Sequence, residues 1–495
     1  MSWDKNPYII LGLAPDATVE DVRDAYQRIS SWLNPQINQS AAATQQLGDL
    51  NAAYEVLSDA LRRRTYDERN RKMFDGQEPS FQLKIVPSKK RVAQLPEQQV
   101  VYLLTDIYPV SRVQQSEQNV NLNLTLVLDR SNSMNGTRME KVKIAAHQII
   151  ESMGPNDVLS VISFADRAEI IIPATHVTDR PALKARVSMI SPSGGTEIFQ
   201  GLNAGVKQNT TFLGPRMVNH IILLTDGHTF GDQDQCLELA KNAAKQGIGI
   251  SAMGLGNDWN DEFLDDLASK TGGNTMYINS ASAVVHFLND HVRSLENIFA
   301  DRMYLSITPA LNVEVESAFK LSPHPQPLQV DDGIIPLGSL QFNRPISVLL
   351  QFQLPGNMDE GHHYIARLDA TGDILSTRNQ SFQDVTDFAL EIEADPEHED
   401  PPASILDALS KLTLYRLQER AQAALATGNI QEATQRLQNL ATRLLAMGQD
   451  ELATQALSEA RRVAHTSGLS DKGKKALKYQ TRYLLLEQDE DGHSA

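Results

Sequence analysis

Four patterns of apolar and polar residues succeed one another along the chain. Up to about residue 75 the apolar side chains recur at helical spacing: Val22, Ala25, Tyr26 and Ile29 mark one face, and Leu47, Leu50, Tyr54 and Leu57 another. Two such faces bury each other as a helical hairpin. From 81 to 108 the period shortens to two, with Leu83 and Ile85 around Lys84 and an apolar run at 100–104, which predicts strands. Residues 119–300 alternate apolar runs with amphipathic stretches, the pattern of an α/β domain with a mainly parallel sheet. The strand period then returns at 303–370, where Ile346, Val348, Leu350, Phe352 and Leu354 take every second position. Matched strand character on both sides predicts one β-sandwich with the α/β domain inserted into it. The expected segments are thus 1–75 (helical), 76–118 (sandwich, first part), 119–300 (α/β) and 301–390 (sandwich, second part).

Residues 391–403 are acidic and proline-rich, which predicts a linker. Residues 404–487 are helical in pattern: Ala433, Leu437, Leu440 and Leu444 share one face, and Ala453, Leu457, Ala460 and Ala464 repeat the spacing. The letters repeat too, GNIQEATQRL at 428–437 against GQDELATQAL at 448–457. Each leading glycine suits a helix C-terminus, so successive helices are expected to be antiparallel neighbours in a bundle. Two uses stay open for so short an array, a stabilising layer against the sandwich or a peptide-binding groove. Residues 488–495 are expected to be an acidic tail.

Composition narrows the function more than the fold. A chain of 495 residues exceeds one core and fits roughly three or four domains. With 62 acidic against 45 basic side chains the formal net charge is −17. That balance argues against nucleic acid or an anionic membrane as partner. Cys236 stands alone, so neither an intramolecular disulfide nor a cysteine zinc site is expected. The first residues lack the basic flank and apolar run of a secretory signal, and no stretch approaches the ~20 apolar residues of a membrane helix. A cytoplasmic location is the expectation.

The candidate chemistry lies in three pieces of the α/β segment. Residues 122–129 (LNLTLVLD) form an apolar run ending in Asp129, followed by the polar turn RSNSMNG. Asp129, Ser131 and Ser133 alternate, so a tight loop can aim three oxygens at one point. A second run, 221–225, ends at Asp226 and Gly227, and between the two lies SPSGGTEI at 191–198, with Thr196 after two glycines. Ligands of open α/β sheets bind beyond the carboxyl ends of the strands. Two carboxylates and three hydroxyls there make a hard, oxygen-only site suited to Mg²⁺ or Mn²⁺.

The D-x-S-x-S of 129–133, Thr196 in its GGT turn and Asp226 in TDG resemble the metal-ion-dependent adhesion site of the von Willebrand factor A (vWA) family, and the strand and helix order resembles that family over about 119–300. The resemblance implies a doubly wound domain in which Asp129, Ser131, Ser133, Thr196 and Asp226 hold the metal, directly or through water. It also implies that an Asp or Glu of a protein partner completes the coordination shell.

A second resemblance covers about residues 5–70. Pro7-Tyr8, Leu11-Gly12-Leu13, Ala25-Tyr26, NAAYEVLSD at 51–59, the arginines of 62–64 and Tyr66-Asp67 are similar to the J domain of DnaJ-type co-chaperones. That family carries His-Pro-Asp between its two long helices to stimulate the Hsp70 ATPase; here Asn34-Pro35-Gln36 stands instead. Asparagine lacks the imidazole charge and glutamine the carboxylate. In the preceding helix, normally basic, Glu20, Asp21 and Asp24 outnumber Arg23 and Arg28. A J-like fold without Hsp70 stimulation is expected.

The whole is expected to be a multidomain α/β protein: a small J-like helical domain, a vWA domain inserted in a β-sandwich, and a C-terminal helical bundle. Its expected role is that of a non-enzymatic, Mg²⁺-dependent scaffold gripping an acidic side chain of a protein. The alternative is an adaptor of a chaperone system or of an AAA+ ATPase, beside which bacterial cytosolic A-domain proteins act. A metal-activated hydrolase is the weaker alternative: His228 after Asp226 could serve as base, but a histidine in a polar loop is more often merely solvated. An ion-channel accessory role, known among related A domains, is disfavoured by the lack of a span or export signal. Without a P-loop or dinucleotide glycine fingerprint, ATP or NAD chemistry is not expected.

Overall fold

The computed structural model describes residues 5–71, 80–110, 120–214, 216–229, 231–375 and 380–484. The expected acidic tail at 488–495 and the expected boundaries near 75 and 118 lie outside the described residues. The chain divides into two compact units: Met1–Val120, Asn297–Pro323 and Pro327–Leu406 make one, and Asn121–Glu296, His324–Gln326 and Asp407–Ala495 the other.

In the first unit, strands from both sides of the insertion share sheets, as their common period predicts. Ile346–Leu354 is paired antiparallel with Gln99–Pro109 on one side and Glu314–Ser322 on the other; Val348 faces Thr105 and Leu350 faces Leu103. Phe81–Pro87 continues that sheet beyond Gln99–Pro109. The second sheet has the order Ile334–Gln341, Ile298–Pro309, Gly361–Ile374, Gln380–Glu393 and Arg91–Ala93. Alternate side chains from both sheets, among them Leu103, Ile107, Leu305, Ile307, Val348, Leu350 and Leu368, fill one core. Burial at about 1.5–3 kcal/mol per large apolar side chain supplies the driving force. The last long strand runs to Glu393, pairing Glu391, Ile392 and Glu393 with Arg91, Val92 and Ala93. The linker therefore begins after Glu393 rather than at 391; sheet pairing, with Ile392 buried, overrides the local charge.

The amino-terminal helices Pro7–Leu11, Val19–Trp32, Ala41–Leu57 and Ala60–Arg69 enclose Val22, Ala25, Ile29, Leu50 and Leu57, with Tyr26 stacked on Tyr54 at 4.3 Å. Thr18 and Asp21 cap the second helix reciprocally. This module rests on the polar outer face of the second sheet. Trp32 meets Tyr364 with ring centroids 5.3 Å apart, and the Arg28 guanidinium lies over the same ring. Asn38 Nδ2 donates to Pro309 O at 3.2 Å, and Gln46 Nε2 to Ser306 O at 3.3 Å. Arg367, only 3% exposed, donates to Ile10 O and pairs with Asp387 at 3.1 Å.

The second unit is built on a six-stranded sheet with the order Ala168–His176, Val158–Phe164, Asn121–Asp129, Met217–Thr225, Ile248–Leu255 and Thr275–Ile278. All neighbours are parallel except the edge strand Ala168–His176. Strand order reverses between Asn121–Asp129 and Met217–Thr225, which opens a crevice at their carboxyl ends. Helix Ile198–Asn209 lies tight against the sheet because Gly201 and Gly205 face it: a Cβ there would come within 2.6 Å of Phe164 and 2.7 Å of Val127.

Two buried histidines lie lower in this domain. His220 Nε2 is 3.0 Å from Ser251 Oγ and 3.3 Å from His291 Nε2. Burial holds His220 well below its ordinary pKa and takes His291 down to about 4. Folded, they bind fewer protons than the unfolded chain, whose histidines titrate near 6.5, so stability falls as pH drops from about 6.5 toward 4. Holding His291 neutral costs about 2 kcal/mol at pH 5. Melting curves at pH 7.5 and pH 5 check this: the melting temperature drops in wild type, and a His220→Gln/His291→Gln variant loses most of the drop.

Four helices complete the described chain: Ala403–Ala426, Ile430–Ala446, Asp450–Thr466 and Asp471–Tyr483. Gly428 and Gly448 both take positive φ, 76° and 75°, just past helix ends. Ala433, Leu437, Leu440 and Leu444 are buried as their spacing predicts, together with Ala453 and Ala460. On the third helix the buried face continues through Val463 while Ala464 is exposed, because the larger side chain takes the core position. The last helix of the bundle packs on the α/β domain. Lys478 pairs with Asp261 at 2.6 Å and Asp265 at 2.9 Å, Arg482 pairs with Asp265 at 2.8 Å, and Tyr479 lies between Trp259 and Tyr277.

Candidate metal-binding site

The site is assembled at the strand-order reversal. Leu128 is in register with Leu224, so Asp129 comes level with Thr225 and Asp226 follows one position beyond, both at the strand ends. Asp129 is fully buried; its Oδ2 accepts from Thr225 Oγ1 at 2.6 Å and its Oδ1 from Ser131 N at 2.8 Å. The second bond folds the loop back over the strand end, and a short turn, Asn132–Met134, brings the hydroxyls round. Ser131 Oγ and Ser133 Oγ are 2.9 Å apart, and Ser133 Oγ donates to Asp226 Oδ1 at 2.7 Å. Ser131 Oγ lies 3.5 Å from the same oxygen. Ser133 is exposed, so the cluster opens to solvent on that side.

The third loop is fixed to the first by backbone bonds: Ser193 N donates to Arg130 O at 2.7 Å and Asn132 N to Gly194 O at 3.1 Å. Gly194 has φ +80°, and a Cβ there would come within 2.5 Å of Asp166 Oδ2. Asp166 Oδ1 in turn accepts from Gly195 N at 2.9 Å. This brace sets Thr196 over Gly227, with Oγ1 3.1 Å from where a Gly227 Cβ would lie. The structure thus gathers Asp129, Ser131, Ser133 and Asp226 into one hydrogen-bonded cluster and sets Thr196 beside it. His228 is exposed. Asn34, Pro35 and Gln36 form a separate turn in the helical module, where Asn34 Oδ1 accepts from Gln36 N at 2.9 Å.

Three contributors were not read from sequence. Thr225 and Asp166 orient the site from behind, and Arg138, in the helix Thr137–Ser152, donates to Asp226 Oδ2. A threonine preceding a strand-end aspartate carries a weak signal; the other two carry none.

The electrostatics favour a cation. Burial raises the Asp129 pKa, and the nearby Asp226 charge adds to it, against hydrogen bonds from Thr225 and Ser131 that lower it. Two buried carboxylates in one site need positive charge to remain ionised together. Among the described residues no group of three or more His, Cys, Asp or Glu is arranged to hold a metal. The donors here are two carboxylates and hydroxyls, a hard set that fits a small divalent cation.

The model of the von Willebrand factor type A domain matches residues 123–291. The chain carries a vWA domain. It also carries a DnaJ domain, matched at 6–67, and a region matching the Sll0103-like, C-terminal alpha-helical domain at 403–487. An uncharacterized protein of Synechocystis sp. is 29% identical over 331 residues, 65% of this chain and 78% of that one. Inter-alpha-trypsin inhibitor heavy chain H4 of Bos taurus is 30% identical over 176 residues, 33% of this chain but only 19% of its own length. Among solved structures, a von Willebrand factor type A protein from Catenulispora acidiphila superposes with a TM-score of 0.65 at 15% identity, covering 82% of this chain and 96% of that one. The likeness shows the fold. No helix among the described residues is long and apolar enough to cross a membrane.

Proposed function

We propose that the protein is a non-enzymatic scaffold whose vWA domain binds Mg²⁺ or Mn²⁺ through Asp129, Ser131, Ser133, Thr196 and Asp226 and grips an acidic side chain of a protein partner. The observation that carries this is the convergence of two buried carboxylates and the loop hydroxyls at the sheet's strand-order reversal, with Ser133 open to solvent. When bound, the metal supplies a Lewis-acidic coordination position for a carboxylate. The chain's own part is to hold the ligand oxygens: Ser131 N and Thr225 orient Asp129, and Asp166 fixes the loop bearing Thr196. The serine hydroxyls are directed at each other and at Asp226, as oxygens gathered around one point, which supports a ligand set for a cation. Affinity capture from a cytosolic lysate tests the reading, comparing wild type with Asp129→Ala in Mg²⁺ and in EDTA. Proteins retained only by wild type in Mg²⁺ are the expected result; the same proteins under all four conditions would overturn it.

The DnaJ domain links the scaffold to chaperone biology, but as a fixed part of its unit. Trp32 and Arg28 at the end of the helix before Asn34-Pro35-Gln36 lie against Tyr364, and Asn38 just after the turn is bonded to Pro309. The full chain is expected to leave Hsp70 ATPase turnover unchanged, and an Asn34→His/Gln36→Asp variant is expected to leave it unchanged as well. Stimulation by that variant in a single-turnover ATPase assay would show that the helix is free to engage.

A further inference from the structure

Arg138 stands in the first turn of the helix Thr137–Ser152, which follows the loop of Ser131 and Ser133. Its guanidinium reaches back toward that loop. One nitrogen donates to Asp226 Oδ2 and, at 3.3 Å, to the backbone oxygen of Ser133. The other terminal nitrogen lies 3.2 Å from where a Gly256 Cβ would sit, so a larger residue at 256 would crowd it. The Asp226 side chain is fully buried, whereas that of Arg138 is 35% exposed. The acid is therefore fixed in the domain and the base approaches it from the solvent side.

Asp226 has two oxygens and two claims on them. Oδ1 faces the serine hydroxyls, and Oδ2 is taken by the guanidinium. A divalent cation drawn to the same carboxylate meets a positive charge already in contact with it. Like charges that close oppose each other strongly where one side is desolvated.

We propose that Arg138 is a tethered competitor for the metal: its guanidinium shares Asp226 with the divalent cation and thereby sets the affinity of the site. This rests on the metal-binding reading above. It adds a coupling, because an anionic group that draws Arg138 away from Asp226 removes the competitor and tightens the metal. By linkage the metal tightens that anion equally. An acidic partner and the cation then bind cooperatively, and the chemistry selected is a carboxylate-bearing protein surface.

Calorimetric titration of Mn²⁺ into the full chain tests this on wild type, Arg138→Gln and Arg138→Lys. Because Arg138 is partly solvated, the expected gain for Arg138→Gln is modest, roughly three- to tenfold tighter Mn²⁺, with Arg138→Lys near wild type. Melting temperatures give a second readout with the opposite sign. Without Mn²⁺ the Arg138→Gln protein melts below wild type, having lost the counter-charge of a buried carboxylate; saturating Mn²⁺ closes the gap. A merely structural arginine would lower both stability and Mn²⁺ affinity. Equal Mn²⁺ affinity in wild type and Arg138→Gln overturns the competition and leaves the metal site standing. Absence of Mn²⁺ binding in all three proteins overturns the metal site and this inference together.

Discussion

Replacing Asp265 by alanine is expected to free the last helix, Asp471–Tyr483, from the vWA domain. Asp265 accepts from Arg482 at 3.1 and 2.8 Å and pairs with Lys478 at 2.9 Å, and the Arg482 and Lys478 side chains are 4% and 8% exposed. Burial alone would raise the Asp265 pKa, but Arg482 and then Lys478 outweigh it and hold the carboxyl well below the usual range. Its stabilisation is thus present at neutral pH and is lost only as pH falls below about 4. Removing the acid strands the buried Arg482 guanidinium, while Lys478 keeps Asp261, at a cost of about 3–5 kcal/mol. Hydrogen exchange reads this locally, which suits a multidomain chain better than a single melting curve. Amides of the last helix should lose about two to four decades of protection. Adding Arg482→Met to Asp265→Ala should recover part of it, since the stranded charge is then gone. Unchanged exchange in Asp265→Ala would show that the apolar contacts of Tyr479 and Leu477 suffice to hold the helix.

Much of this fold is legible in the sequence because its elements announce themselves by period. The paired sandwich halves follow from alternation at 81–108 and 346–354, and the bundle from Ala433, Leu437, Leu440 and Leu444. The site is legible for a similar reason: an apolar run ending in Asp129, with Ser131 and Ser133 at alternate positions, places three oxygens locally before any tertiary contact is known. What escaped depends on partners distant in sequence. Lys478 and Asp261 are 217 positions apart, and nothing in either neighbourhood names the other. Glu391–Glu393 looks like linker until Arg91–Ala93 is placed beside it. Arg138 falls in an ordinary first helical turn, and only the path of its side chain brings it to Asp226. The J-like face against Tyr364 belongs to the same class, since helical spacing shows which residues are apolar but not which sheet they meet.

The most direct measurement is calorimetric titration of Mg²⁺ and Mn²⁺ into wild type and Asp129→Asn. Asparagine keeps the acceptor for Ser131 N and a polar contact for Thr225 while removing the charge, so the loop stays closed and only the cation's counter-charge is lost. A hard divalent cation bound at a two-carboxylate site depends on that charge. Wild type is predicted to bind one equivalent, and Asp129→Asn to lose at least a hundredfold in affinity, about 2.7 kcal/mol, with its melting temperature without metal retained. Equal affinity in the two proteins, or no binding by either, would contradict metal-mediated recognition at this site.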